Sequence, residues 1–379
     1  MIPIAMPVLD EEEADAAREV VLSGWVSQGP QVLAFELEFA ALVDAPFACA
    51  VSNCTTALHL ALTAVDIAPG DEVITASHSF VATANCIRYC GATPVFVDID
   101  PETYNIDPGR VAQAITPRTR AILAVHQMGM PCDLSALVAL AKRHNLILIE
   151  DAACAAGSQI RVDEQWSRIG KPHGDIACFS FHPRKVITTG EGGMLTTSSP
   201  ELDRQFKLLR QHGMSVPDTV RHGSPQVIFE DYLVVGYNYR MTDMQAAMGR
   251  KQLTKLPDII ARRRTLAARY ADLLGNIEGL RLPFEPDWAR SNWQSYCVRL
   301  PDRVDQRAVM QNLLDRGIAT RRGIMCSHRE RPYVGEKPLH DLRQSELAQD
   351  RAILLPIFAQ MSEDDQVIVA DALRGELRQ

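Results

Sequence analysis

The stretch "CFSFHPRKVITTGEGGMLTT" (residues 178–197) holds one lysine, Lys185, between an apolar strand-like run and a glycine cluster. Lysine is common on surfaces, so the plain reading is a solvated charge. Whether Lys185 is more depends on what the chain brings to the ends of neighbouring strands. "IACFSF" (176–181) and "GGMLTT" (192–197), on either side of it, belong to a series of similar runs. The others are "FACAVSN" (47–53), "DEVITAS" (71–77), "TPVFVDID" (93–100), "RAILAVHQ" (120–127) and "LILIED" (146–151). Most are rich in β-branched residues, do not alternate and are bounded by turn residues, as strands buried on both faces are. Between them lie helical patterns such as "TTALHLALTAV" (55–65), "TANCIRYCG" (83–91) and "LSALVALAKRHN" (134–145). Strand–helix repetition predicts an α/β fold whose large domain is a mainly parallel seven-stranded sheet covered by helices. Ligands of such sheets bind beyond the C-terminal ends of the strands.

From about residue 240 the texture changes. The segment 241–274 reads as a helix broken near Pro257. Two strand-like pieces follow, "LRLPF" (280–284) and "WQSYCVRL" (293–300), then a helix over "DQRAVMQNLLDRG" (305–317). This is a smaller α+β unit. The division is expected between 1–250 and 251–379, in line with a length too great for one small core.

The chain has 379 residues, 46% hydrophobic and 23% charged, an ordinary globular composition. Its net charge of −8 argues against a nucleic-acid binder. The most basic helix, "IIARRRTLAARY" (259–270), spreads its charge through apolar residues, which speaks against a DNA-binding regulator. The nine cysteines are odd in number and form no CxxC pair, so no metal site is expected and reduced thiols of a cytoplasmic protein are. The N-terminus shows no signal peptide, and no apolar stretch approaches a membrane span.

Several residues fall where a site belongs. Asp151 ends "LILIED"; a carboxylate there is either catalytic or an N-cap for a following helix. Thr55 and Thr56 in "SNCTTALHLAL" (52–62) open a helix whose free N–H groups and positive dipole end suit a phosphate, although Ser/Thr caps begin most helices. Phe80 in "SHSFVATAN" is a core residue or a platform for a ring. Ser180 is a small hydroxyl near a strand end, five residues before Lys185. A lysine, a buried carboxylate, a phosphate cradle and an aromatic platform are together what pyridoxal 5′-phosphate (PLP) requires.

The chain resembles the DegT/StrS family of PLP-dependent sugar aminotransferases, essentially from end to end. The resemblance rests on "SGWVSQGPQV" (23–32), "SNCTTALHLAL", "GATPVFVDID" (91–100), "IEDAACAAGS" (149–158), "FSFHPRKVITTGEGGMLTT" and "GYNYRMTDMQAAMGRKQL" (236–253). It implies an aspartate-aminotransferase-like fold (PLP fold type I) and a role for each matching position. Lys185 is then the Schiff-base lysine and proton carrier, and Asp151 the partner of the pyridine nitrogen. Thr55, Thr56 and Ser180 contact the phosphate, Phe80 covers the ring, and Asn238 reaches the phosphate of the neighbouring subunit, so that the active sites of a homodimer are shared. Two positions depart from the family pattern. Cys154 stands where Gln or His is usual, near the ring, and Cys54 replaces the glycine of "SNGT".

In the segment "GIATRRGIMCSHRERPY" (317–333), the resemblance places His328 at a substrate-contacting position, with Arg321 and Arg322 beside it. These arginines are either a solvated basic loop or contacts to an anionic substrate. His182 invites a proton-relay role but is equally a packed or capping histidine. The implied reaction is transfer of an amino group from L-glutamate to a keto group, at the 4- or 3-position, of a nucleotide-linked sugar. Alternatives are an aminotransferase for a cyclitol or other non-nucleotide ketone, and a PLP-dependent sugar dehydratase, against which Lys185 itself argues because such relatives carry histidine there.

Overall fold

The computed structural model describes residues 1–216, 220–221, 224–335 and 339–378. Each of the seven apolar runs is a strand of one sheet: β1 (Phe47–Val51), β2 (Glu72–Ala76), β3 (Thr93–Val97), β4 (Thr119–Val125) and β5 (Ile147–Asp151) come first. A separate hairpin of β6 (Gln159–Val162) and β7 (Gln165–Arg168) follows, then β8 (Ile176–Ser180) and β9 (Gly193–Thr197) return to the sheet. The strand order is β1-β9-β8-β5-β4-β2-β3. The pairs β3–β2, β2–β4, β4–β5 and β5–β8 are parallel, whereas β9 runs antiparallel to both β8 and β1. The reversal has a local cause. Residues 181–192 form no crossover helix, and without one a following neighbour can only return antiparallel. Lys185 therefore lies on a loop that leaves and re-enters the sheet at the C-terminal edge of β8.

Every residue of β2, β8 and β9 is buried, as their unalternating sequences require. The covering helices are α1 (Glu11–Ser23), α2 (Pro30–Val43), α3 (Cys54–Ala64), α4 (Ala82–Tyr89), α5 (Pro108–Ala114), α6 (Leu134–His144) and α7 (Pro200–Leu209). Their ends follow from sequence. Asn53 caps α3 in a reciprocal capping box with Thr56, and α6 starts on Asp133 and stops at Asn145 in the left-handed conformation (φ 52°).

The rest of the chain, which holds the smaller α+β unit, comprises α8 (Asp243–Leu274), β10 (Ala289–Arg290), β11 (Tyr296–Arg299), α9 (Gln306–Asp315), β12 (Arg321–Arg322), α10 (Arg343–Arg351), β13 (Ala352–Leu355) and α11 (Glu363–Leu377). Its sheet is antiparallel in the order β11-β13-β12. Leu266, Tyr270 and Leu274 of α8 pack there with Val298, Leu313, Ile353 and Leu373. The expected break at Pro257 does not occur: α8 is continuous through it. The N-terminal half packs on α1 and α2, and the C-terminal half carries the second core, so packing at both ends outweighs one missing N–H donor. Residues 250 and 251 lie inside this helix. The β6–β7 hairpin, which pairs with β10, was not read from the sequence, because two four-residue strands without an apolar run leave no periodic signal. Among the described residues no helix is long and apolar enough to cross a membrane, and no cluster of His, Cys, Asp and Glu could hold a metal.

Candidate active site

β5 delivers Asp151, 4% exposed, to the C-terminal edge of the sheet. Thr83, in the first turn of α4 and 68 residues away in sequence, donates Oγ1–H to Asp151 Oδ2 at 2.8 Å, and the Ala153 N–H donates to Oδ1 at 3.1 Å. Residues 152–158 form turns, not a helix, so Asp151 caps none. Burial pushes its carboxyl above the usual range, against the pull of the Thr83 hydroxyl, the Ala153 N–H, Lys185 and His126. His126 is itself fully buried. Its Nδ1 accepts from the Cys132 N–H at 2.9 Å, which leaves the proton on Nε2, 2.9 Å from Glu150 Oε2.

Lys185 faces this carboxylate from the loop after β8. Its N–H donates to the His182 carbonyl at 2.8 Å, and Nζ donates to Cys154 Sγ at 3.1 Å. Burial works to lower its pKa, but Cys154, Cys54 and Asp151 oppose burial and carry the net shift upward. His182 serves the turn: its Nδ1 accepts the Arg184 N–H at 3.2 Å, and burial holds its pKa below the ordinary value.

The mouth of α3 adjoins the same edge. Asn53 satisfies the Thr56 N–H, and the Thr56 hydroxyl is held by Asn53 and Ser52, while the Cys54 and Thr55 N–H groups have no intrahelical acceptor. Cys54 turns its buried thiol toward the Cys178 carbonyl and is not among the left-handed residues, so the loop has no need of glycine there. Glycine is needed opposite. A Cβ on Gly193, the register partner of Ser180, would stand 2.5 Å from the Asn53 carbonyl carbon. Ser180 therefore ends β8 directly beside the α3 mouth. Phe80 is 57% exposed and not a core residue, and its carbonyl accepts from the N–H of Thr83, the residue that holds Asp151. These groups fit pyridoxal 5′-phosphate: a lysine amine for the aldehyde, a buried acid for the ring nitrogen, a helix mouth whose cap leaves the Cys54 and Thr55 N–H groups over, with hydroxyls, for the phosphate, and a bare phenyl ring.

The remaining expected residues lie around this centre. His328 is 9% exposed, with Nδ1 2.6 Å from Ser77 Oγ and Nε2 3.2 Å from Glu346 Oε1. It ties the second unit to the end of β2. Arg321 and Arg322 are exposed on β12; Arg322 meets Glu330 at 3.3 Å, and Arg321 lies close enough to Arg184 to repel it electrostatically. Asn238 is exposed and, among the described residues, makes no hydrogen bond to the Lys185 group, although its neighbour Tyr239 accepts the Ser52 N–H at 2.8 Å. Four residues escaped the sequence reading: Thr83, Ser77, Asn292 and Gln294. Thr83 had one signal, a hydroxyl in the helix turn after Phe80. The other three had none, since their partners lie between 110 and 251 residues away.

The comparisons with known proteins agree with this geometry. Residues 7–374 match the DegT/DnrJ/EryC1/StrS aminotransferase family. The chain is 40% identical to the spore coat polysaccharide biosynthesis protein SpsC of Bacillus subtilis, over 98% of this chain and 96% of that one. The aminotransferase TlmJ of Streptoalloteichus hindustanus superposes with a TM-score of 0.91 at 34% identity, over 100% of this chain and 99% of that one. DesV of S. venezuelae gives 0.89, also at 34% identity and with the same coverage. The chain belongs to the DegT/DnrJ/EryC1/StrS family of aminotransferases, PLP-dependent enzymes acting on sugar-like substrates.

Proposed function

We propose that the protein transfers an amino group from L-glutamate to a keto group of a nucleotide-linked sugar, the 4-keto position first and the 3-keto position second. The observation that carries this reading is the convergence of Lys185 and Asp151 beside the open mouth of α3. PLP, when bound, would supply an electron sink and a carrier for nitrogen. Lys185 would hold the cofactor and, when free, would move protons at the reacting carbon. Asp151, kept dry, would hold the ring nitrogen protonated. The α3 mouth with Thr55, Thr56 and Ser180 would take the phosphate, and Phe80 would cover the ring. Arg321 and Arg322 offer exposed cations to the anionic substrates, and His328 aligns this segment through Ser77. The name of SpsC, which refers to polysaccharide biosynthesis, supports a sugar acceptor.

The functional unit is a homodimer with Asn238 of the partner subunit completing each phosphate site. Apolar side chains support this assignment: Phe229 and Val235, near Asn238 in sequence, are each 91% exposed, and Leu22 is 70% exposed on α1. Nine free cysteines support a reducing compartment, in keeping with a cytoplasmic enzyme.

Hydride reduction of the yellow holoenzyme is expected to fix the cofactor to the peptide containing Lys185; fixation to another lysine refutes the assignment. In single-turnover spectroscopy, L-glutamate should bleach the yellow form and a 4-keto sugar nucleotide should restore it. Restoration by free cyclitol ketones and by no sugar nucleotide would retain the aminotransferase and reject the nucleotide-linked substrate.

A further inference from the structure

Cys154 is the hydrogen-bond partner of Lys185 Nζ, at 3.1 Å, and the surrounding chain is built to keep it there. Asn292, fully buried, donates Nδ2–H to the Cys154 carbonyl at 2.8 Å and to the Ala156 carbonyl at 2.9 Å. Two residues on, Gln294 donates Nε2–H to the carbonyl of Arg184, the residue before Lys185, at 2.8 Å. One short segment of the second unit therefore grips the backbone on both sides of the contact. Its conformation is costly. Trp293, between the two gripping residues, has φ 52°, a left-handed conformation that a bulky residue rarely adopts. Gly129 makes room for the grip: a Cβ there would lie 2.0 Å from Asn292 Oδ1 and 3.2 Å from the Cys154 carbonyl oxygen.

We propose that Cys154 is a positioning residue for Lys185, its sulfur accepting from Nζ and keeping the amine protonated whenever the lysine is free of the cofactor. A protonated Lys185 has no lone pair and is not a nucleophile. The charged and titratable groups facing Nζ are Asp151 at the end of β5, Cys54 at the start of α3 and His182 on its own turn, while Arg184 of the same turn acts on Cys154 and His182 and is repelled by Arg321. Cys154 is the strongest of those that oppose the effect of burial on Lys185. The consequence for catalysis rests on the reading of Lys185 as the cofactor lysine, whereas the pairing does not.

Competitive acetylation of Lys185 across pH, read by mass spectrometry on the full chain freed of cofactor, measures the pairing directly. In Cys154→Ala the midpoint of reactivity should fall by about one pH unit, making Lys185 roughly tenfold more reactive below the wild-type midpoint. Coincident midpoints overturn the proposal. If Cys154→Ala fails to fold, Cys154→Val makes the same comparison, because it fills the site and offers no acceptor. The readout uses no PLP, so attachment of the cofactor to another lysine would refute the proposed function and leave this measurement to decide the pairing.

Discussion

At the residue scale, Asp151 shows what a buried carboxylate does when no helix follows to be capped. Its oxygens are held by Thr83 and Ala153, and burial pushes its pKa up against the pull of Lys185 and His126, with no full positive charge in contact with it among the described residues. A protonated ring nitrogen would supply that charge, and the pair would form in a dry site where a charge-assisted hydrogen bond is strong. Asp151→Asn should therefore cut turnover by roughly two to four orders of magnitude while the cofactor-free protein melts no lower than wild type, since a neutral amide suits the buried position at least as well. Steady-state kinetics and calorimetry on the same preparation check both halves. A variant with near-wild-type turnover would leave Asp151 a structural residue only.

Among the elements, α8 carries the largest difference between local expectation and outcome. Pro257 marks a helix break by its own chemistry, yet the helix runs 32 residues through it. The element bridges the two cores, with Leu256, Ile259 and Ile260 buried against the large sheet and Leu266 and Tyr270 in the smaller core. The cost of the proline is thus borne by packing and is recoverable. Pro257→Ala restores a donor for the Leu253 carbonyl and should stabilise the protein by about 1–3 kcal/mol, seen as a higher denaturation midpoint with an unchanged slope. A fall in stability would mean that a bend at Pro257 is required for the two cores to be filled together.

Viewed as a whole molecule, each chain presents Asn238 outward on a segment that also braces the loop before α3 through Tyr239 and Ser52. His59 hydrogen-bonds Tyr239 at 2.9 Å, and the Tyr237 and Tyr239 rings stack at 4.8 Å, which holds the segment with Asn238 exposed. If sites are shared, mixing Lys185→Ala chains with inactive Asn238→Ala chains should restore up to one working site per mixed dimer, about a quarter of wild-type activity at equal mixing. Demonstrated subunit exchange with no recovered activity would rule sharing out.

The seven strands, the helices between them and the loop carrying Lys185 were legible in the sequence. Burial on both faces writes itself as unbroken apolar runs, and caps such as Asn53 and Asp133 act within one turn of the chain. These are short-range effects, set by the residues that show them. The reversal of β9, the continuity of α8 and the grip of Asn292 and Gln294 on Cys154 and Arg184 depend on which distant segments meet when the sheet closes. The sequence alone determined the fold and where its lysine and aspartate stand along the chain. Only the tertiary structure decided which side chains touch them, because a hydrogen bond between residues 31 positions apart, as for Lys185 and Cys154, or 68 apart, as for Asp151 and Thr83, leaves no mark on either neighbourhood.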